Sequence, residues 1–321
     1  MSGEELDGRE EVHGARRGSA AVTWYDRRRA RSNQHCLYCG VYVGEGSDIL
    51  SNCEHLIGRK MVPAGGFADA KAFNFQFRAC EECNGAKSAV EDHVSAITML
   101  YSPGRAEDEA VDAAAQRKGK NSFDARYPGR PIGEQRQEHT IHANSFMSFT
   151  MVSGPQPNAD KIADLSFYHM QGLFSLLCSA NPLTSEGTRL LTAKGFGVYG
   201  FVMHRDWGNA HQREIMHRVS DVPIVGQFDT AGGYFQCVMR RLDEPDAPWF
   251  WALEWNRSLR VCGWIGDAEK PPAWFLDLPS QGWVSLGKQG DAHVRQRLEV
   301  PLDEADDILF PPIVDEALTH G

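Results

Sequence analysis

Two matched cysteine pairs, Cys36-Leu37-Tyr38-Cys39 and Cys80-Glu81-Glu82-Cys83, stand on either side of a Glu54-His55 dipeptide, and Asn84 follows the second pair directly. Thiolates two residues apart, twice over, give the spacing with which one chain grips a tetrahedral zinc from two sides. A zinc held only for structure needs neither an acid and an imidazole between the pairs nor an amide behind them. Those three side chains match the demands of phosphodiester hydrolysis. Water must attack in line with the leaving oxygen while negative charge gathers on the phosphoryl oxygens. The imidazole of His55, of unperturbed pKa near ~6.5, can take the water's proton at neutral pH. Glu54 and Asn84 offer a carboxylate and an amide oxygen to a hard divalent ion, leaving positions for phosphate and water.

A small module has to deliver these groups. Glu54-His55-Leu56-Ile57 reads as a strand, and a second strand is expected around Gly40 to Val43. Phe73, Phe75 and Phe77 alternate with Asn74 and Gln76, the period-two signature of a half-buried strand. A helix is expected from Asn84 to about Tyr101, with Val90, Val94, Ile97 and Tyr101 at helical spacing and Pro103-Gly104 as its stop. Neighbouring strand residues point to opposite faces, so Glu54 and His55 are expected to share a cleft through a twisted or bulged strand end. On the helix, Cys83 and Asn84 differ by about 100°, which lets one face the metal and the other the cleft. Lys87, three residues past Asn84, is predicted to meet a phosphate, with Arg59, Lys60 and Arg78 as weaker candidates. Glu91 is in phase with Asn84 but is expected to be an exposed helix carboxylate. His93 is out of phase and reads as an ordinary helix residue.

The pattern resembles the HNH endonucleases with a zinc-stabilised ββα-metal fold over about residues 33–101. In that family two Cys-x-x-Cys knuckles hold zinc, an Asp-His or Glu-His pair lies between them, and Asn or His follows the second knuckle. The resemblance implies that His55 is the general base and that Glu54 and Asn84 hold a catalytic Mg²⁺ or Mn²⁺. It implies that Cys36, Cys39, Cys80 and Cys83 form a structural Zn²⁺ shell, and that DNA is the partner. Two departures stand out. Glu54 replaces the common Asp and is one methylene longer. The family's central Asn falls five residues before the second knuckle, where this chain has Phe75. Asn74, one position early, is expected to brace the loop holding His55 only if its strand is bulged, because a one-residue slip turns a side chain to the other face.

The whole chain, 321 residues long, is predicted to be a two-domain α+β protein. Residues 1–20 read as disordered and 21–103 as the zinc-stapled, treble-clef-like nuclease module. Residues 104–138 read as a polar linker with a basic stretch from Arg117 to Arg136, and 139–321 as a larger α+β domain. In the last, Lys161 to Ser179 is expected to be an amphipathic helix. Phe146–Val152, Phe196–Met203, Tyr234–Met239, Trp249–Trp255 and Leu259–Ile265 are expected to be strands, the last two forming a hairpin. Seven of the eight tryptophans lie beyond residue 200, and Trp249, Trp251, Leu253 and Trp255 share one strand face. That face reads as a tryptophan-rich core, with an aromatic platform for a base as the alternative.

A net charge of −10 argues against a chain that coats nucleic acid indiscriminately. Residues 13–90, however, carry eleven Lys/Arg against seven Asp/Glu, so the cysteine-bearing segment is a basic island. The run Arg27–Arg31 within it is expected to lie on a short helix capped by Thr23. No stretch approaches a membrane span, the N-terminus is not signal-like, and a cytoplasmic protein with no membrane partner is expected. Cys53, Cys178, Cys237 and Cys262 then read as buried small apolar residues. The C-terminal domain is expected to supply target choice, regulation or self-association, as in restriction or phage-defence nucleases, an analogy only. Two rival functions stay open: a non-catalytic zinc module that binds nucleic acid, and an effector nuclease whose C-terminal domain must first bind a nucleotide or protein signal.

Overall fold

A computed structural model describes residues 15–17, 20–21, 33–67, 74–144, 147–178, 190–241, 248–289 and 292–313. The basic run Arg27–Arg31, Phe73 and Phe146 lie outside the described residues. The expected mixture of helices with an antiparallel, tryptophan-rich sheet is present. In chain order the elements are β1 (Ala15–Arg17), β2 (Ala20–Ala21), β3 (Ser51–His55), β4 (Gln76–Cys80), α1 (Glu81–Leu100), α2 (Glu109–Asn121), β5 (Gln137–Asn144), β6 (Met147–Ser153) and α3 (Ala159–Cys178). There follow β7 (Phe196–Met203), α4 (Ala210–Ser220), β8 (Ile224–Thr230), β9 (Phe235–Arg241), β10 (Trp249–Trp255), β11 (Leu259–Ile265), β12 (Val284–Gln289) and β13 (Ala292–Gln296). The main sheet runs β2-β1-β8-β9-β10-β11-β7, and every neighbouring pair in it is antiparallel. Its β1 and the first residue of β2 fall in the segment 1–20 expected to be disordered.

The segment around the cysteines folds as a hairpin followed by a helix. β3 pairs with β4 in a register that sets Glu54 opposite Phe77 and His55 opposite Gln76. Cys80 closes β4 and caps α1, its sulfur accepting the Cys83 backbone N–H at 3.5 Å. The helix therefore starts three residues before the expected Asn84, with Glu81 and Glu82 in a first turn that favours negative charge. Gly40 to Val43 forms no strand but follows directly on a tight turn over Leu37–Cys39. Gly40 adopts φ +77°, its N–H reaches the Cys36 carbonyl at 2.8 Å, and only a single bridge joins His35 to Tyr42. That turn presents the first cysteine pair.

Residues 104–138, expected to be a linker, carry α2 and pack on α1. Ala114 and Ala115 are buried together with Met99 of α1. A Cβ at Gly119 would meet Gly133 and Leu100 at 3.3 Å. Small side chains here mark close helix approach, where the sequence suggested solvation.

Helix α3 buries Ile162, Leu165, His169, Leu173 and Leu176, the stripe anticipated from its periodicity. It lies between the hairpin and the sheet. A Cβ on Gly172 would sit 2.3 Å from Leu56 Cδ1, so any side chain there would push the buried Leu56, the residue after His55, out of place. On the far side of α3, Trp251, Leu253 and Trp255 of β10 are fully buried in one core with Cys36, Leu37, Leu56, Phe75 and Phe77. The opposite face of the sheet packs Phe250, Ala252 and Cys262 against Ile215 and Val219 of α4, with Phe275 and Leu309. β10 is thus covered on both sides: Trp251 and Trp255 are core and Trp249 is half-buried against it, so they form no open platform. Cys237 and Cys262 are buried as expected, whereas Cys53 and Cys178 are half-buried. The β10–β11 turn has Asn256 and Arg257 at φ +55° and +51°, the positive pair of a type I′ hairpin. Asn256 then donates from Nδ2 to the Met61 carbonyl at 2.9 Å and to Thr98 Oγ1 at 2.7 Å, stitching the sheet to the cysteine-bearing segment. Among the described residues, no helix is long and apolar enough to cross a membrane.

Candidate functional site

The knuckle turn and the Cys80 cap bring the four cysteine sulfurs within 4.8 Å of one another. Cys39 and Cys80 are 3.8 Å apart, close to the ~3.8 Å between sulfurs that a tetrahedral ion with ~2.3 Å bonds would impose. None of the four is in a disulfide. Burial, ahead of the neighbouring thiols, pushes Cys36 up to about 11 and Cys83 higher still. A bound dication reverses that preference, since it stabilises thiolates directly. The donor set fits a metal ion such as zinc.

Beside this cluster a cleft of about 420 Å³ opens between the end of β3 and α1. Glu54, His55 and Asn84 all line it. The β3–β4 pairing runs without a register shift to His55, so no bulge is present. Both residues reach the cleft because the strand ends at His55 and the chain turns. Asn84 donates from Nδ2 to Asn52 Oδ1 of β3, so the first turn of α1 is tied across to the strand. Asn74 holds the segment after His55 by both ends of its amide. Its Oδ1 accepts the Ile57 N–H at 3.2 Å and its Nδ2 donates to the Ile57 carbonyl at 2.7 Å. Asn74 precedes β4, so strand alternation does not set the face on which its side chain lies.

Lys87 is placed differently from the expectation. It is fully buried, and its Nζ donates to Glu54 Oε1 and Glu91 Oε1, both at 2.7 Å, and to the His55 carbonyl at 3.1 Å. An ammonium with three donors so engaged inside the protein is not presented to a phosphate. The stripe Asn84–Lys87–Glu91 does share a helix face, but that face is roofed by β3 and backed by α3. Arg78 also turns away: its Nη1 donates to the Val43 carbonyl at 2.9 Å, and its backbone is clamped by Asn33, fixing the hairpin to the first knuckle. Arg59 and Lys60 remain, both exposed and both on the cleft wall. The supposed linker adds Lys118, which lines the same cleft and pairs with Asp92 at 2.8 Å.

Glu91 is no exposed carboxylate. Its side chain is only 12% exposed and its Oε1 accepts the Gly58 N–H at 2.8 Å as well as Lys87. Behind it sits His169 of α3, fully buried, with Nε2 3.5 Å from Glu91 Oε1 and Nδ1 accepting the Trp255 indole N–H at 3.2 Å. Because indole only donates, Nδ1 is the bare nitrogen and the His169 proton resides on Nε2, facing Glu91. Burial keeps this imidazole below its ordinary pKa. Burial pushes Glu91 up, but the Lys87 ammonium and His169 outweigh it and leave the carboxyl at about 2. For Glu54 burial prevails, raising it, with Lys87 offsetting only part. Glu54, Lys87 and Glu91 together carry one net negative charge with the carboxylates ionised. His93, read as an ordinary helix residue, is buried 3.5 Å from Asp124 and held by burial down to about 4.

Asn52, Glu91, Lys118 and His169 are the cleft residues and supports that the sequence reading left out. Only Glu91 carried a signal, its phase with Asn84. Compared with family models, with curated proteins and with solved structures, the chain matches none.

Proposed function

We propose that the chain is a metal-dependent endonuclease of the HNH type, a zinc-stapled ββα-metal module that hydrolyses phosphodiester bonds in DNA. The observation that carries this reading is the meeting of Glu54, His55 and Asn84 on one cleft directly beside four clustered cysteines. In it, Cys36, Cys39, Cys80 and Cys83 hold Zn²⁺ and fix the start of α1 against β3. His55 accepts the proton of the attacking water. Glu54 and Asn84 would hold a Mg²⁺ or Mn²⁺, and that ion would supply charge stabilisation to the phosphoryl oxygens. Asn74 fixes the backbone just past His55, and the exposed Arg59 and Lys60 meet the DNA backbone. The acidic C-terminal part contributes α3 and the sheet on which the cleft is built.

A second reading, a zinc module that binds nucleic acid without cutting it, has one observation in its favour: the buried Lys87 already occupies Glu54 Oε1. Supercoiled plasmid, incubated with the zinc-loaded full chain, separates the two. The endonuclease reading expects nicked or linear DNA with Mn²⁺ or Mg²⁺ and intact DNA once a chelator removes the free ion. DNA that is bound and shifted in a gel but stays supercoiled under every condition supports the second reading instead.

A further inference from the structure

No other carboxylate on the cleft is tied to as many of its parts as Glu91. One oxygen takes the Lys87 ammonium and the Gly58 amide, at 2.7 and 2.8 Å. Through Lys87 it reaches Glu54; through Gly58 it reaches the turn that leads from His55 to Arg59. The fit on the Gly58 side is close, since a Cβ there would lie 2.3 Å from Glu91 Oε2. His169 closes the fourth side and is anchored in turn by Trp255 of the sheet. The turn after β3 and helix α3 therefore meet α1 on one largely buried carboxylate, and β3 joins them through Lys87.

We propose that Glu91 is the positioning residue of this cleft: by drawing part of Lys87 away from Glu54 and by holding the Gly58 amide, it leaves Glu54 able to bind a divalent cation and sets His55 beside it. This role rests on the endonuclease reading. The physical core is a competition for one ammonium. With both carboxylates present, the Lys87 charge is divided between two acceptors at equal distance. With Glu91 neutral, the same charge falls wholly on Glu54, which then accepts a metal less readily.

Glu91→Gln keeps the shape and can still accept the Gly58 N–H, while removing the charge. Gly58→Ala keeps every charge but displaces the Glu91 carboxylate. In the zinc-loaded full chain, both are expected to raise the Mn²⁺ concentration that half-saturates the protein, read from the free-Mn²⁺ electron paramagnetic resonance signal, by about 10–100-fold. Plasmid cutting should fall in the same order, and the double variant should lose less than the product of the two single effects. A purely structural Glu91 would lower the thermal midpoint of either variant and leave Mn²⁺ affinity unmoved, which overturns the proposal. Wild-type protein that cuts DNA no faster than Glu91→Gln overturns the positioning role alone. Wild-type protein that neither binds Mn²⁺ beyond its zinc site nor cuts removes the endonuclease reading and this role with it.

Discussion

Replacing His55 by alanine is expected to slow plasmid cutting by about 10²–10⁴-fold, the range over which a positioned general base contributes. Zinc content and thermal midpoint should change little. The reason lies in the backbone contacts of His55. Its backbone pairs with Gln76 at the end of β3, and its carbonyl accepts Lys87. Alanine preserves both. The side chain is half-buried at the cleft wall rather than in the core, so its loss opens no sealed cavity. Cutting rates measured over a Mn²⁺ series on folded, zinc-loaded variant and wild type decide the matter. Equal rates at every concentration would remove His55 from the reaction.

The second large effect concerns the cysteine cluster. Substituting Cys80 by alanine, or stripping the metal with a strong chelator, is expected to abolish cooperative folding of the cysteine-bearing segment. Cys80 contributes in three ways: it ends β4, it caps α1 through the Cys83 amide, and it is one of the four clustered cysteines that fit a metal ion. Structural zinc in small domains is worth about 10–16 kcal/mol, comparable with the whole stability of a typical domain at about 5–15 kcal/mol. The damage should not stay local, because Cys36, Leu56 and Phe77 share one core with α3 and Trp251. Thermal melts followed by far-ultraviolet circular dichroism, with zinc quantified alongside, test this. An unchanged midpoint in protein shown to be zinc-free would contradict it.

The local parts of the site were legible in the sequence, and the reasons are physical. A Cys-x-x-Cys pair encodes its own geometry, because two ligands at that spacing reach one ion from a single turn. The strands Phe196–Met203, Trp249–Trp255 and Leu259–Ile265 were readable from β-branched and aromatic runs around a turn that tolerates positive φ at Asn256. What was not legible depends on tertiary closure. Lys87 looked like a solvent-facing cation because nothing within its own helix says that β3 and α3 will roof it. Burying it requires Glu54, 33 positions away. Glu91 acquires its place from Gly58 and from His169 of α3, both far from it along the chain. The α2 segment reads as a linker because Ala and Gly give a weak hydrophobic signal, although small residues are what let α2 lie close on α1. Strand register argues against Asn74, yet it precedes the strand and clamps Ile57 from outside the pairing.

A crystal of the zinc-loaded full chain soaked in Mn²⁺, with anomalous diffraction collected at energies that distinguish the two metals, tests the account where it is most exposed. It predicts zinc among Cys36, Cys39, Cys80 and Cys83, and manganese in the cleft bound by the side chains of Glu54 and Asn84 with the His55 imidazole facing it. Manganese absent from the cleft at concentrations that support cutting, or bound without Glu54 and Asn84, would contradict it.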